Sequence, residues 1–313
     1  MRLILPLPGN EAFAAQLAKS GGFELGKLET RHFPDGESYV RLLSDVAGRS
    51  VDLVCSLARP DPGFLRLIFA ADAARDLGAT EVTLVAPYLA YMRQDRRFAP
   101  GEAVTSRPFA RLISSSFDRL VTVDPHLHRY PSLAELYAIP ARTLHAAPLL
   151  AEWIAAEIPH PLIVGPDEES GQWVEAVAAR VGAPSVLLRK IRRGDRKVEI
   201  EVPDLAKWRD RRPVLIDDIA SSGRTLIEAA RQLRHQGLPR PVCVVVHGLF
   251  AGDAFADLTQ ISERIVSTDS VLHTSNAIKL APILATALQA FQAGRPGSSP
   301  AAGDRSGEPG QGN

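Results

Sequence analysis

The segment from Val214 to Leu226, VLIDDIASSGRTL, restricts the possible folds of this chain more than any other segment. It begins with the apolar run VLI, which follows Pro213 and is typical of a buried strand in a parallel sheet. An acidic pair comes where this strand is predicted to end, and small and hydroxyl residues follow it. Apolar residues then recur at helical spacing. The segment therefore predicts a strand, a short loop and the start of a helix.

A loop of this kind can bind phosphate, because free backbone N–H groups and the helix dipole favour an anion. The pair Asp217 and Asp218 needs a different partner, since carboxylates repel phosphate unless they bind ribose hydroxyls or a Mg²⁺ that the phosphate shares. The alternative is an ordinary strand-to-helix turn with Asp and Ser as caps. We interpret the segment as a site for a sugar phosphate and its metal. The loop residues that would bind the phosphate are Ser221, Ser222, Gly223 and Thr225.

The composition is that of an ordinary globular protein. The chain has 313 residues, of which 45% are hydrophobic and 23% charged, and this length favours two domains. Lys and Arg together number 36, as do Asp and Glu, so net charge favours neither a nucleic-acid nor a membrane partner. Cys55 and Cys243 lie in apolar runs, which indicates a reducing compartment. With no apolar run of about 20 residues and no signal-like N-terminus, we expect a cytoplasmic protein.

The pattern of strand, loop, helix and strand occurs twice, once in residues 51–86 and again in residues 214–246. Strands that alternate with helices predict an α/β fold with a mainly parallel sheet, flanked by helices, in each half. We place the domains at residues 1–146 and 147–292, followed by a disordered tail at 293–313 that is rich in Gly and Pro. The first-half loop, residues 56–63, lacks an acidic pair and a hydroxyl run, so only the second half is predicted to keep the sugar-phosphate site.

Two segments of the first half could bind a nucleotide. Residues 87–97, PYLAYMRQDRR, contain two tyrosines and three arginines that could stack on a purine and hold a polyphosphate. A solvated basic loop is an equally good interpretation of this segment. Residues 33–37, FPDGE, form a turn by composition.

Two acidic positions follow predicted strands. Asp124 and His126 could bind a divalent metal directly or through water, although a capped turn with an exposed histidine is a common alternative. Asp167 could hold a ribose hydroxyl or a metal-bound water, or could cap the helix that follows it.

A basic run at residues 189–197, RKIRRGDRK, is the strongest cluster of positive charge. Its alternatives are a solvated loop or a nucleic-acid contact. The balanced net charge and the lack of an aromatic residue in the run argue against nucleic acid. We interpret the run as a loop that closes over a polyphosphate.

Taken together and in order, FPDGE, PYLAYMRQDR, D-x-H, GPD, K-x-R and DDIASSGRT resemble the motifs of ribose-phosphate pyrophosphokinases over roughly residues 1–290. The resemblance implies two tandem phosphoribosyltransferase-like domains that share an active site. It implies the Mg²⁺-dependent conversion of ATP and ribose 5-phosphate into phosphoribosyl pyrophosphate (PRPP) and AMP, in a homo-oligomer that is at least a dimer. A catalytically weak regulatory paralogue and a PRPP-consuming phosphoribosyltransferase remain as alternatives.

The resemblance also assigns roles to individual residues. For ATP binding it implies Phe33, Asp35, Glu37, Arg93, Gln94 and Asp95. Of these, Phe33, Asp35 and Glu37 are implied to act across a subunit boundary. For the metal it implies His126 and Asp167, the latter also near the ribose. For stabilisation of the transition state it implies Lys190 and Arg192. For ribose 5-phosphate it implies Asp217, Asp218, Ser221, Ser222, Gly223, Arg224 and Thr225.

Three departures from the family pattern stand out. Arg224 occupies a position that is often Gly, so the loop must either accept a side chain there or gain a cation for phosphate. Glu168 and Glu169 replace small residues and add negative charge near the expected metal. Residues 128–130, HRY, lie in a region used for subunit contact and phosphate regulation, so neither hexameric assembly nor allostery follows from the resemblance.

Overall fold

The computed structural model describes residues 2–193, 197–201 and 203–293. Within these ranges, the side chains at 169, 172, 190–193, 197–201 and 292–293 lie outside the description. The predicted catalytic side chains of Lys190 and Arg192 are therefore outside the described part, as is the predicted tail from residue 294 onward.

The first half of the chain forms a six-stranded parallel sheet in the order β2-β1-β5-β6-β7-β8. Its connections include three helices, and the turn at residues 33–37 joins β3 and β4 in a separate antiparallel hairpin. The strands are β1 (Arg2–Pro6), β2 (Glu24–Leu25), β3 (Leu28–His32), β4 (Ser38–Leu42), β5 (Ser50–Val54), β6 (Glu81–Ala86), β7 (Arg119–Val123) and β8 (Ala141–Leu144). The helices are α1 (Glu11–Gly21), α2 (Asp61–Asp76) and α3 (Ser106–Ser116).

The second half repeats this architecture as a six-stranded parallel sheet in the order β10-β9-β13-β14-β15-β16. Helix α4 (Ala147–Glu157) leads into it. The strands are β9 (Pro161–Gly165), β10 (Ser185–Leu187), β11 (Arg189–Arg193), β12 (Lys197–Glu201), β13 (Arg212–Ala220), β14 (Val242–Gly248), β15 (Arg264–Thr268) and β16 (Asn276–Ile278). The helices are α5 (Gly171–Val181), α6 (Arg224–His235), α7 (Ala254–Ile261) and α8 (Ala281–Ala293).

The two sheets share an inner core. Apolar residues of β1, β5, β6 and β7 belong to the same buried cluster as those of β9, β13 and β14. Helices α1, α4, α5 and α8 contribute to this cluster, while α2 and α3 cover the outer face of the first sheet and α6 and α7 that of the second. In β14, Val242, Val244 and Val246 face the inner core, and Cys243 and Val245 face outward. A strand buried on both faces explains the continuous apolar run in the sequence.

Helix α8 packs against α1 of the first half, and Gln289 Nε2 donates a hydrogen bond to the carbonyl of Gly21 at 3.1 Å. The last helix therefore contacts elements of both halves, and the proposed boundary at residue 147 stays a prediction.

The α/β class with two mainly parallel sheets is confirmed, and one local expectation is wrong. The basic run at 189–197 is a β-hairpin in which β11 pairs antiparallel with β12, and only residues 194–196 between them lie outside the description. The charge pattern hid the strand signal, because the alternating apolar residues Ile191, Val198 and Ile200 are few among the cations.

Candidate active site

The segment with the acidic pair forms the predicted strand, loop and helix. Strand β13 is longer than predicted and continues through Asp217 and Asp218 to Ala220, where it still pairs with β14. Gly223 precedes α6 with φ of 69°, a left-handed conformation that glycine adopts without strain. The acidic pair thus lies on the last residues of the strand, close to the N-terminus of α6.

The phosphate loop leaves the N-terminus of α6 open. No side chain among the described residues caps this helix, so the N–H groups of its first turn are available to an anion. The departure at Arg224 has a structural explanation, because the positive φ falls on Gly223 and Arg224 is the exposed first residue of the helix. From the other side the loop is supported by Ala251, whose N–H donates to the carbonyl of Ser221 at 2.9 Å.

A cavity of about 620 Å³ lies where the carboxyl ends of β7, β9 and β13 meet; we call it the first cleft. Ligands of parallel sheets usually bind at such edges. The cleft combines side chains of both halves of the chain, which the sequence predicted separately. Of the predicted site residues, it is lined by Arg93, His126, Asp167, Asp217, Asp218 and Thr225.

A short hydrogen bond joins the two halves inside the first cleft. His126 Nδ1 lies 2.6 Å from Asp218 Oδ2, and the two side chains are 18% and 26% exposed. Desolvation raises the pKa of Asp218, but the hydrogen bond and the charge of His126 outweigh it, so the pKa lies below the ordinary value. Asp218 is therefore held ionised, as an acceptor for hydroxyl groups.

Asp217 has the opposite electrostatic environment. Desolvation raises its pKa well above the ordinary value, and the neighbouring charges of Asp218 and Asp167 raise it further. Three carboxylates that repel one another around one cavity indicate a local deficit of positive charge. Such a site favours a proton or a cation.

Asp124 has a role that its D-x-H pattern did not reveal. Its Oδ1 lies 2.9 Å from His145 Nδ1, and its Oδ2 accepts the N–H of Ala146 at 2.8 Å. Asp124 is buried and has a positive φ of 34°, so its carboxylate fixes the turn between β8 and α4. The hydrogen bond to Asp124 raises the pKa of His145.

Sequence reasoning missed several residues of the first cleft. His145 and Thr143 follow from the position of β8 beside β7, which no local motif indicates. His128 lies with its ring 3.8 Å from that of His126, at a position that the sequence marked only as a departure. The polar or aromatic lining residues to which the sequence assigned no role are Thr143, His145, Ser170 and Trp173, while His128 and Glu168 were noted only as departures.

The segment at residues 87–97 only partly faces the first cleft. Arg93 lines it, whereas Asp95 is buried and lies 3.4 Å from Arg129 Nε. Tyr88 packs edge-on against the ring of His247, and Tyr91 contacts both Asp61 and the ring of Phe109. Neither tyrosine is among the described residues that line the first cleft, so their stacking on a purine stays a prediction. The roles of Gln94 and Asp95 stay predictions.

The turn at residues 33–37 projects away from the first cleft, at the end of the β3–β4 hairpin. The ring of Phe33 is 39% exposed and packs edge-on against Tyr39, and the guanidinium of Arg31 lies 4.6 Å from its centre. Within the turn the N–H of Glu37 donates to Asp35 Oδ1 at 3.2 Å. Among the described residues that line the first cleft, none comes from this turn. The three predicted ATP contacts therefore stay predictions.

Asp167 also supports the turn that precedes α5. Its Oδ1 accepts the N–H of Ser170, the residue before α5, at 3.3 Å, whereas no described side chain caps α5 itself. Asp167 also lines the first cleft, where its ribose or metal role stays a prediction. The neighbouring departure, Glu168, lies 3.5 Å from Arg189 Nε at the base of the basic hairpin. Glu168 thus links the hairpin to the edge of the first cleft.

The donors in the first cleft suit Mg²⁺, which prefers oxygen ligands and normally takes only one or two carboxylates together with substrate phosphates. In the described part of the chain, no three side chains of His, Cys, Asp or Glu form a ready-made metal site. The negative charges of Asp218 and Asp167, which raise the pKa of Asp217, would be neutralised by a cation. Such a cation could arrive together with the substrate phosphates. Within the same residues, no helix is long and apolar enough to cross a membrane.

Comparison with known proteins gives a consistent result. Residues 3–116 match the family model for the N-terminal domain of ribose phosphate pyrophosphokinase, and residues 132–267 match that for the phosphoribosyl transferase domain. The ribose-phosphate pyrophosphokinase of Methanopyrus kandleri is 36% identical over 278 residues, which cover 88% of this chain and 94% of that protein. The ribose-phosphate pyrophosphokinase of Methanothermobacter thermautotrophicus is 33% identical over 291 residues, which cover 92% of this chain and 100% of that protein.

The crystal structure of phosphoribosylpyrophosphate synthetase from Mycobacterium smegmatis has the same fold, with a TM-score of 0.82 over 94% of this chain and 99% of that chain, at 23% identity. The fold and the first cleft thus define an enzyme of the phosphoribosyltransferase-like class with two tandem domains. Within this class, the chain belongs to the ribose-phosphate pyrophosphokinase family.

Proposed function

We propose that this protein transfers the β,γ-pyrophosphoryl group of ATP to the anomeric hydroxyl of ribose 5-phosphate, which yields PRPP and AMP. The observation that carries the proposal is the composition of the first cleft. Arg93 of the first half faces the acidic pair and phosphate loop of the second half across a single cavity. A phosphoribosyltransferase that only consumes PRPP needs no such contribution from a second domain.

Ribose 5-phosphate would bind with its phosphate at the open N-terminus of α6 and its hydroxyls near Asp218. His126 keeps Asp218 ionised and oriented, since their hydrogen bond is 2.6 Å long. The anomeric oxygen would then attack the β-phosphorus in line, and AMP would leave with the bonding electrons. Such transfers depend mainly on positioning and on neutralisation of charge.

Mg²⁺ would be held by carboxylates of the first cleft, chiefly Asp167, with His126 nearby, and it would supply positive charge to the phosphate oxygens. Lys190 and Arg192 are proposed to meet the charge that develops on the transferred group, on the basis of the family resemblance alone.

We further propose that the protein acts as a homo-oligomer, at least a dimer. Phe33 is exposed at the end of a projecting hairpin, where a second copy could accept it together with Asp35 and Glu37. The buried free thiols of Cys55 and Cys243 suit a reducing compartment such as the cytoplasm.

The proposal is tested by a coupled assay of AMP formation from ATP and Mg²⁺, with and without ribose 5-phosphate. We expect AMP only when the pentose phosphate is present. Asp218→Asn should raise the Michaelis constant for ribose 5-phosphate, whereas the matched control Asp72→Asn, on the exposed side of α2, should behave as the wild type. Release of ADP, or no turnover with any pentose phosphate, would reject the proposal and favour the regulatory paralogue.

A further inference from the structure

The protein has a second cavity of about 490 Å³ between the two sheets; we call it the second cleft. It lies mainly at the carboxyl ends of β1, β5, β14, β15 and β16, and Pro87 after β6 also lines it. It is lined by Pro8–Asn10 after β1, by Ser56, Ala58 and Arg59 after β5, and by Asp269–His273 after β15, together with Gly248–Phe250 and Lys279.

The second cleft lies at the position that corresponds to the first when each strand of one sheet is replaced by the equivalent strand of the other sheet. Since the strand orders are the same, β1 corresponds to β9, β5 to β13, β6 to β14, β7 to β15 and β8 to β16. The first cleft uses the ends of β6, β7, β8, β9 and β13, and the second uses the ends of β14, β15, β16, β1 and β5. Apart from Pro87 after β6, which also lines the second cleft, the strand ends that line one cleft have their equivalents in the other.

The contact between the halves is repeated as well. In the first cleft, His126 after β7 is bonded to Asp218 on β13 at 2.6 Å. In the second, Ser56 Oγ, after β5, donates to the carbonyl of Ser270, after β15, at 2.6 Å. In each cleft, a hydrogen bond thus joins equivalent positions of the two halves.

Its chemistry favours an anion. Helix α1 begins at the second cleft, and the side chain of its N-cap residue, Asn10, does not cap it, because Asn10 Oδ1 accepts the N–H of Ser56 at 2.7 Å. Two exposed cations, Arg59 and Lys279, line the same cavity. Arg59 forms no hydrogen bond or ion pair with the side chains that the structure describes. A phosphate group suits a helix N-terminus with two cations beside it.

A buried carboxylate indicates that the ligand also carries donors. Asp269 lines the second cleft with a side chain that is only 9% exposed. Its Oδ1 accepts the N–H of Leu280 at 2.8 Å, but its buried Oδ2 accepts no hydrogen bond in the described structure and has Lys279 Nζ at 3.5 Å. The Lys279 ammonium offsets the charge of Asp269 but leaves Oδ2 without a close donor, and sugar hydroxyls would supply such donors.

We propose that the second cleft binds a phosphoribosyl group, either in ribose 5-phosphate or in a nucleoside monophosphate. The phosphate lies at the N-terminus of α1 between Arg59 and Lys279, and the ribose hydroxyls donate to Asp269. The exposed side chain of Leu272 and the ring of Phe13 at the cavity wall would contact a base if one is present. The loop after β5 lacks the acidic pair and the hydroxyl run, so the second cleft binds this group without turning it over.

The test counts binding sites by calorimetry, with AMP and ribose 5-phosphate as separate probes in Mg²⁺ buffer without ATP. It relies on the proposed function only for ribose 5-phosphate binding in the first cleft. We expect the wild type to bind two equivalents of at least one probe per chain. Arg59→Ala/Lys279→Ala should weaken one equivalent about tenfold or more while AMP formation continues. Arg59→Glu alone should have the same effect, and the control Lys19→Ala, at the far end of α1, should have none.

The two probes distinguish ribose 5-phosphate from a nucleoside monophosphate as the ligand of the second cleft. If binding there requires the base, only AMP will bind in the second cleft. Asp218→Ala should remove the other equivalent. The proposal is overturned if the Arg59 and Lys279 variants bind AMP and ribose 5-phosphate as tightly, and in the same number of equivalents, as the wild type. If the wild type forms no AMP but still binds a probe at the site that the Arg59 and Lys279 variants weaken, the proposed function is refuted and this inference stands.

Discussion

Asp52→Asn should destabilise the protein strongly, because it removes the negative partner of a guanidinium inside the first sheet. Arg2 on β1 and Asp52 on β5 are 1% and 0% exposed. Arg2 Nε donates to Asp52 Oδ2 at 2.7 Å, and Arg2 Nη2 contacts both Asp52 Oδ1 and Thr83 Oγ1. The substitution keeps the shape of the side chain but leaves Arg2 as a buried, poorly compensated charge.

The magnitude follows from this burial. Breaking a buried ion pair by removing one partner costs about 3–5 kcal/mol. Glu81, whose Oε1 lies 3.6 Å from Arg2 Nη1, compensates part of the charge. We therefore expect the lower end of this range, about 3 kcal/mol in the free energy of unfolding. For a chain of this size, such a loss lowers the melting temperature by about 5 °C.

Urea denaturation followed by circular dichroism measures this loss. The matched control is Glu157→Gln, which breaks a pair with Arg264 of similar length, 2.9 Å, but with side chains 45% and 48% exposed. Exposed pairs contribute about 0–1 kcal/mol, so the control should change little. Replacing Arg2 and Asp52 together by leucines should recover most of the loss. If Asp52→Asn costs no more than the control, the buried pair does not stabilise the sheet as argued.

Further predictions concern the titration of one histidine, the two thiols and the basic hairpin. Because the hydrogen bond to Asp124 raises the pKa of His145, their pair stabilises the fold below the ordinary histidine pKa of about 6.5 and loses this effect as the pH rises through the raised value. NMR titration should show that raised value in the wild type and a lower one in Asp124→Asn; equal values would contradict the assignment. Burial raises the pKa of Cys55 and of Cys243 to about 12, so neither thiol should react with Ellman's reagent until the protein is unfolded. Lys190→Ala should lower turnover on the order of a hundredfold with little change in either Michaelis constant, and near-normal turnover would remove this residue from the mechanism.

The sequence predicted the architecture well, because the signals involved are local. Strands such as β6 and helices such as α5 carry continuous apolar runs or helical periodicity between clear turn residues. The duplication was also visible in this alternation. The β11–β12 hairpin was missed because charge dominates its composition and its few apolar residues do not establish a period.

The composition of the candidate site was predictable only in part. Asp217, Asp218 and the following loop are contiguous, so their chemistry can be recognised in the sequence. The pairing of His126 with Asp218, separated by 92 positions, depends on how the sheets pack, and no local pattern encodes it. For the same reason Asp124 resembled a metal ligand, although its carboxylate is occupied by His145 and a backbone N–H.

The central claim is that a pyrophosphoryl group moves as one unit onto the anomeric oxygen of ribose 5-phosphate. The most direct measurement is ³¹P NMR of the purified protein incubated with ATP, Mg²⁺ and ribose 5-phosphate. The account predicts AMP together with two mutually coupled diphosphate signals on a product that keeps its 5-phosphate. Signals of ADP and a sugar bisphosphate would show transfer of a single phosphoryl group and would contradict it.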